Sequence, residues 1–330
     1  MKKYEIIVGI DVSKKKLDVT IVNVSAPKEY DYFMVENTTK GFKELLKKLT
    51  LETLFCFEYT GNYGAPLCLF LQENTQDYWQ CNPLVIKRSK GIARGKSDKA
   101  DSKDIAFFAL SNLHKVELSK LPEVDIQTIK NLLTERDKLN KAIMIFSSTK
   151  EYTDLLQKNT VKEVVKNNNK TVNFLKKQIK EIEKSIKEVV KLNEVISEKM
   201  DLAMSVPGVG EQTALQLIVR TRCFTAFKDS RKLACYMGIA PFPYSSGSSI
   251  KGKTKVSHYA NKKLKSILSM AALSAKKWDY ELASYYTNKT EEGKAHSLIM
   301  NNIKNKIIAR VYAVVQRGTP FVNTRKFSVN

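Results

Sequence analysis

YEIIVGIDVSKKKLDVTIVNV, residues 4–24, decides how the rest of the chain is read. Residues 4–10 are a β-rich apolar run that stops at Asp11, and residues 17–24 alternate in strand fashion. A third strand follows at 30–35 (YDYFMV), so the chain opens on a three-stranded meander. Residues 40–49 place Phe42, Leu45, Leu46 and Leu49 on one helical face. Residues 53–59 (TLFCFEY) form the next strand. Gly61 and Gly64 turn the chain into a helix around 65–73, and Tyr78-Trp79 begins an extended piece that stops near Pro83. A meander followed by alternating helix and strand predicts an α/β layer fold.

Asp11 and Glu58 sit late in apolar strands, where a charge is costly unless something pairs with it. Residues 97–110 (SDKADSKDIAFFAL) predict a helix that puts Asp101 and Asp104 three apart on one face. Four converging carboxylates repel one another unless cations neutralise them. Mg²⁺ takes such oxygen ligands, and two such ions can serve the attacking and leaving oxygens of phosphoryl transfer. The plainer alternative is that these residues end strands and cap a helix. Asp18, Asp98 and Glu52 are expected at the surface or at caps. Lys87, Arg88, Lys90, Arg94, Lys96, Lys99 and Lys103 crowd the same region. A positive loop leading into an acidic site suits a phosphodiester, and a solvated loop is the plain alternative.

Residues 125–158 predict one or two helices, and the Asn run within 159–170 is expected to break or bend them. Leu175, Ile179, Ile182, Ile186, Val189, Asn193, Ile196 and Met200 then follow a heptad seam with Asn193 as its polar member. The seam suits either a subunit contact or a helical hairpin within the chain. Farther on, Pro207-Gly208-Val209-Gly210 joins two helical patterns. Gly208 and Gly210 permit a tight turn, and the backbone N–H groups at the next helix start can hold a nucleic-acid phosphate. A plain turn between packed helices reads equally well. The Pro-, Ser- and Gly-rich stretch 241–254 is expected to be loop-like. It carries Ser245, Ser246, Ser248 and Ser249, with Lys251, Lys253, Lys255, Lys262, Lys263 and Lys265 close behind. A serine among lysines can be a nucleophile on phosphorus, although clustered serines are usually only loop. Helices are expected at 261–275 and 298–315.

Lys and Arg total 56 against 34 Asp and Glu, a formal charge of +22 over 330 residues. Such an excess points to a polyanion or an anionic surface. Five scattered Cys and three His make a disulfide scaffold or a structural zinc site a poor fit. With no apolar run long enough to span a bilayer and no signal-like N-terminus, a cytoplasmic protein without a membrane partner is expected.

Several stretches together resemble the transposases of the IS110/IS1111 group, which are related to Piv-type DNA invertases. They are Gly9-Ile10-Asp11-Val12-Ser13-Lys14, Glu58-Tyr59-Thr60-Gly61 and Lys99-Ala100-Asp101-Ser102-Lys103-Asp104-Ile105. In the second half they are Pro207 to Ala214, Gly238-Ile239-Ala240-Pro241 with Ser246-Gly247, and Lys255 to Lys265. The resemblance implies three regions. The first is a RuvC-like, ribonuclease-H-like α/β domain over 1–120. A helical coiled-coil region follows over 121–200, and a mostly α-helical C-terminal transposase domain over 201–330.

It also implies Asp11, Glu58, Asp101 and Asp104 as Mg²⁺ ligands, and Ser246 as the catalytic serine, with Ser245 one residue away. Lys87, Arg88, Arg94, Lys96, Gly208, Gly210, Lys251, Lys253, Lys255, Lys262 and Lys265 are the expected nucleic-acid contacts. The implied activity is an RNA-guided DNA recombinase that works through a covalent 5′-phosphoserine. Its partners would be donor and target DNA, a structured non-coding RNA, and further copies of the chain as a dimer or tetramer. In such assemblies the acids of one subunit join the serine of another. A protein-directed invertase, a RuvC-like nuclease without a guide, and a non-catalytic nucleic-acid-binding protein are the alternatives.

Overall fold

The computed structural model describes residues 4–49, 52–89, 97–147, 158–246 and 250–323. The chain divides into two compact units, Met1–Leu121 and Pro122–Asn330.

In the first unit, β1 (Ile6–Val12), β2 (Lys16–Asn23) and β3 (Tyr30–Glu36) form the expected antiparallel meander. Helix α1 (Thr39–Leu46) crosses over to β4 (Thr53–Glu58), and α2 (Ala65–Glu73) crosses to β5 (Asp77–Cys81). Both returning strands are parallel to their neighbours, as helical crossovers require. The sheet order is β3-β2-β1-β4-β5, a RuvC-like, ribonuclease-H-like arrangement with β1 at its centre. Strand alternation sorts side chains onto two faces. Val8, Ile10, Leu17, Val19, Phe55 and Phe57 pack with Phe42, Leu45, Leu67 and Leu71 of α1 and α2. Ile7, Val22, Leu54 and Cys56 pack on the opposite face with Ile86 of α3 (Pro83–Ser89) and Ile105, Ala106 and Ala109 of α4 (Asp98–Ser111).

The second unit begins with α5 (Val124–Ser147) and α6 (Lys158–Leu192), which pair as an antiparallel hairpin. Arg136 Nε donates to Glu183 at 2.7 Å across it. The heptad seam is therefore spent within the chain, with Ile179 and Ile186 buried. Helices α7 (Glu194–Met204), α8 (Glu211–Thr221), α9 (Ser230–Tyr236), α10 (Lys262–Trp278), α11 (Tyr280–Glu291) and α12 (His296–Arg317) surround one large apolar core. A two-stranded antiparallel ribbon, β6 (Pro241–Ser246) and β7 (Ile250–Val256), interrupts them. Among the described residues no helix is long and apolar enough to cross a membrane.

Four expectations need correction. The basic stretch at 87–88 is helical, not loop, because Asn82 Oδ1 accepts from Leu84 N–H at 2.9 Å and Pro83 suits the first helical position. The Asn run at 167–169 does not break α6. Asn costs well under about 1 kcal/mol in a helix, and packing on α5 overrides it. Asn193 is not a seam residue: it caps α7 by accepting from Ile196 N–H, and its amide donates to Asp125 at 2.7 Å. The stretch expected as loop at 241–254 is largely paired strand. Both strands of a lone ribbon are edges, so Pro241 and Pro243 cost no central ladder bonds.

Candidate active site and nucleic-acid interface

Asp11 lies one residue from the end of β1, and Glu58 ends the neighbouring parallel strand β4. Ile10 pairs with Phe57, so the two acids follow side by side. Asp11 shares its face with Ile7 and Gly9, the face that α4 covers. Gly9 permits this approach: a Cβ there would stand 2.3 Å from Ala106 N and 2.4 Å from Ser102 O. The contact is pinned by the buried hydroxyls of Thr20 and Ser102, 2.9 Å apart. Ser97 caps α4 by accepting from Ala100 N–H, which leaves Asp98 and Asp101 in the first turn, where the helix dipole favours them.

Burial pushes the Asp11 carboxyl up to about 6, helped by the charges of Asp101, Asp98, Asp18 and Glu58, in that order. Asp11, Glu58 and Asp101 thus share one neighbourhood. Asp104 follows Asp101 by three residues on α4. Among the described residues no three Asp, Glu, His or Cys side chains are gathered into a set that could hold a metal ion. The donor chemistry nonetheless suits a hard divalent cation, since it is all carboxylate.

Asp18, expected at the surface, is instead 1% exposed. It pairs in register with Asp11, and strand alternation turns it toward α4 with Thr20 and Val22. Tyr32 Oη donates to its Oδ1 at 2.6 Å. The Lys16 ammonium stands 3.1 Å from its Oδ2 and 2.9 Å from Asp98 Oδ2. Those two carboxylates hold the Lys16 pKa above its usual value. Lys16 is the internal counter-ion of the acidic face. Asn37 is a second residue that sequence reading missed. Its amide donates to Ser13 O at 2.8 Å and Tyr63 O at 3.0 Å, tying the loop after β1 to the loop after β4.

Lys87 and Arg88 end α3, while Arg94 and Lys96 lie outside the described residues. In the second unit, the turn between α7 and α8 uses its two glycines differently. Gly208 has φ +89°, and a Cβ there would meet Ala271 O at 2.4 Å, so it serves close packing on α10. Gly210 is exposed with nothing within 4 Å, and it starts α8 without a side-chain cap.

Ser245 and Ser246 lie on β6, paired with Lys251 and Ile250 of β7. Ser245 is exposed, as are Phe242, Tyr244, Lys253 and Lys255. Ser248 and Ser249 lie outside the described residues. The ribbon is anchored at its feet. Asn301 and Asn305 of α12 both donate to Ile239 O, at 2.8 and 3.0 Å. Gly238, at φ +67°, presses against Ala260. Asn261 caps α10, and its amide donates to Tyr236 Oη at 3.0 Å. Lys262 is exposed and Lys265 half-buried on the first turn of α10. Burial, reinforced by the Lys265 charge, pulls the Lys304 ammonium of α12 down.

The chain matches two family models. One, described as "Transposase IS116/IS110/IS902 family", covers residues 200–287. The other, a transposase model of the IS110 DEDD type, covers residues 8–151. The "Pilin gene-inverting protein" of Moraxella bovis is 24% identical over 95% of this chain and 97% of its own length. The "Insertion element IS110 uncharacterized 43.6 kDa protein" of Streptomyces coelicolor is 32% identical over 35% of this chain and 28% of its own. Among solved structures, T. thermophilus RuvC in complex with a Holliday junction substrate is 13% identical. It covers 35% of this chain and all of its own, with a TM-score of 0.26. With one model on the carboxylate-bearing unit and the other on the helices that flank the serine ribbon, the chain belongs to the IS110 family of transposases.

Proposed function

We propose that the chain is a Mg²⁺-dependent DNA recombinase, directed by a structured RNA, whose nucleophile is Ser246. The observation that carries this reading is a division of chemistry between two elements. A half-buried carboxylate cluster is centred on Asp11, and a serine lies on an exposed ribbon with no acid from Pro241 to Val256. Asp11, Glu58, Asp101 and Asp104 would hold Mg²⁺, which offsets charge developing on the phosphate oxygens. The serine hydroxyl attacks phosphorus, forming a Ser–O–P bond and breaking the bond to the 3′ oxygen. The proton lost by the serine is balanced by the one the freed 3′ oxygen takes up. A phosphodiester is exchanged for a phosphoserine ester, so strand joining can follow by reversal on a new 3′ hydroxyl. Lys253, Lys255, Lys262 and Lys265 screen the strand beside the serine, and Lys251, which precedes them in sequence, is proposed with them. Lys87, Arg88, Arg94, Lys96, Gly208 and Gly210 are proposed as further backbone contacts. Two or four copies of the chain would hold donor and target DNA together.

The test is the covalent protein–DNA adduct. Ser246→Ala should abolish it, and loss in Ser245→Ala alone would move the nucleophile by one residue. Normal adduct in both variants sinks the serine mechanism. The guide is tested by purifying the protein from cells that carry its flanking DNA and sequencing the nucleic acid that survives a high-salt wash, since salt strips generic phosphate binding. One discrete RNA encoded beside the gene supports the guide. A second reading, inversion directed by protein alone, is favoured by the likeness to the Moraxella bovis inverting protein along nearly the whole chain. It predicts recombination with protein and DNA and no RNA.

A further inference from the structure

We propose that one face of the β6–β7 ribbon is a stacking site for an unpaired base of the DNA strand. Phe242 and Tyr244 supply the rings, and Lys253 and Lys255 meet the flanking phosphates. The inference rests on the reading that the serine of this ribbon acts on DNA.

Phe242, Pro243, Tyr244, Gly252, Lys253 and Lys255 line a cavity of about 380 Å³. Tyr244 is 66% exposed and Phe242 44% exposed, and neither belongs to a core cluster. Folding therefore does not account for two aromatic rings in neighbouring positions on a solvent-facing ribbon. The Tyr244 ring nevertheless has a built seat. A Cβ on Gly252, its partner across the ribbon, would stand 2.7 Å from Tyr244 Cδ1. The missing side chain leaves room for the ring to lie across the opposite strand. Phe242 and Tyr244 are two apart on β6 while their partners Lys255 and Gly252 are three apart on β7, so the irregularity falls in β7 and both rings line the same cavity.

The chemistry then selects the occupant. From Pro241 to Val256 the ribbon holds three lysines, Lys251, Lys253 and Lys255, no arginine and no carboxylate. A protein partner would meet charge with nothing specific to read. A nucleotide brings both features the face offers: a flat π surface for the rings and a phosphate for the ammonium groups. Base–aromatic stacking tolerates any base, because every base has a π face. Such a site would hold one nucleotide out of the duplex two residues along the strand from Ser246.

The experiment measures binding of the full-length protein to a fluorescent single-stranded oligo-dT and to a duplex of the same length. Tyr244→Ala should weaken single-strand binding about tenfold and duplex binding far less. Tyr244→Phe should stay within about twofold of the parent, and Tyr244→Leu, bulky but without a π face, should match Tyr244→Ala. The salt dependence should be unchanged in Tyr244→Ala and should fall in the Lys253→Ala, Lys255→Ala double variant, which has lost phosphate contacts. Equal binding by Tyr244→Ala and the parent overturns the proposal. So does Tyr244→Leu binding as well as Tyr244→Phe, or tenfold tighter binding of RNA of the same sequence. Should the alanine variant fail to fold, Tyr244→Trp gives a second measurement: its added fluorescence should be quenched by oligo-dT, and an unquenched signal counts against stacking. Binding is read without covalent chemistry. An adduct that persists in both serine variants would refute the serine mechanism and leave this result standing or falling on its own.

Discussion

Replacing Gly9 with alanine tests how the carboxylates of β1 and α4 are brought together. The new methyl carbon would sit 2.3 Å from Ala106 N and 2.4 Å from Ser102 O, where ordinary contact begins at 3.4 Å. Both obstacles are helix backbone, so no side-chain rotation relieves them. Helix α4 must withdraw by about 1 Å, or β1 must bow. Overpacking of this kind costs ~1–3 kcal/mol. Withdrawal also parts the Thr20 and Ser102 hydroxyls, now 2.9 Å apart and buried, for about 1 kcal/mol more. The expected loss is about 2–4 kcal/mol, which lowers the urea midpoint of the first unit by about 1–2 M. Trp79 of β5, whose ring lies 5.4 Å from that of Phe108 on α4, reports on this contact by fluorescence once Trp278 is replaced by Phe. A Gly9→Ala variant that melts with the parent midpoint would refute the claim that helix backbone closes over this position.

The other predictions concern charge and anchoring. Mg²⁺ or Mn²⁺ should raise the melting temperature of the parent protein, and Asp11→Asn should lose most of that rise, as differential scanning fluorimetry would show. Removing both Asn301 and Asn305 amides by alanine leaves Ile239 O without its two donors, so adduct yield should fall more than DNA affinity, read by separate adduct and binding assays. Arg310 holds the fully buried Asp279 at 2.9 Å and Glu281 at 2.7 Å. Arg310→Met strands that carboxylate and should cost about 3–5 kcal/mol in chemical denaturation. Asn193→Ala removes the α7 cap and should cost about 1 kcal/mol by the same measurement.

The strand pattern of residues 4–59 was legible because alternation and turn residues act locally, and the sheet follows from them. What local pattern could not show was pairing. Asp18 looks like one acid in a polar-flanked strand. Only its register with Asp11 puts it under α4, and a signal was present in the alternation of Leu17 and Val19 against Asp18 and Thr20. Asn193 fitted a seven-residue repeat by spacing, yet capping is decided by where the backbone turns, and there its short amide finds Ile196 N–H and Asp125. The 241–254 stretch has the composition of a loop. Its ladder bonds come from a partner strand that composition does not see. Asp101 and Asp104 were grouped by spacing, and both fall on one helix, α4, as that spacing requires.

The two elements carrying the chemistry differ in how far they can be altered. Asp11, Asp18 and Gly9 are built into the packing of the first unit, so a change of function there is also a change of stability. The described ribbon residues from Pro241 to Ser245 and from Gly252 to Lys255 are all exposed, and the ribbon is anchored to the body at its feet. Substitutions along it are close to neutral for folding. Selection can therefore retune the serine side of the site in single steps, while the carboxylate side must drift in compensated pairs. Chains of this family are expected to change most slowly where α4 lies on β1, because there function and packing are constrained together.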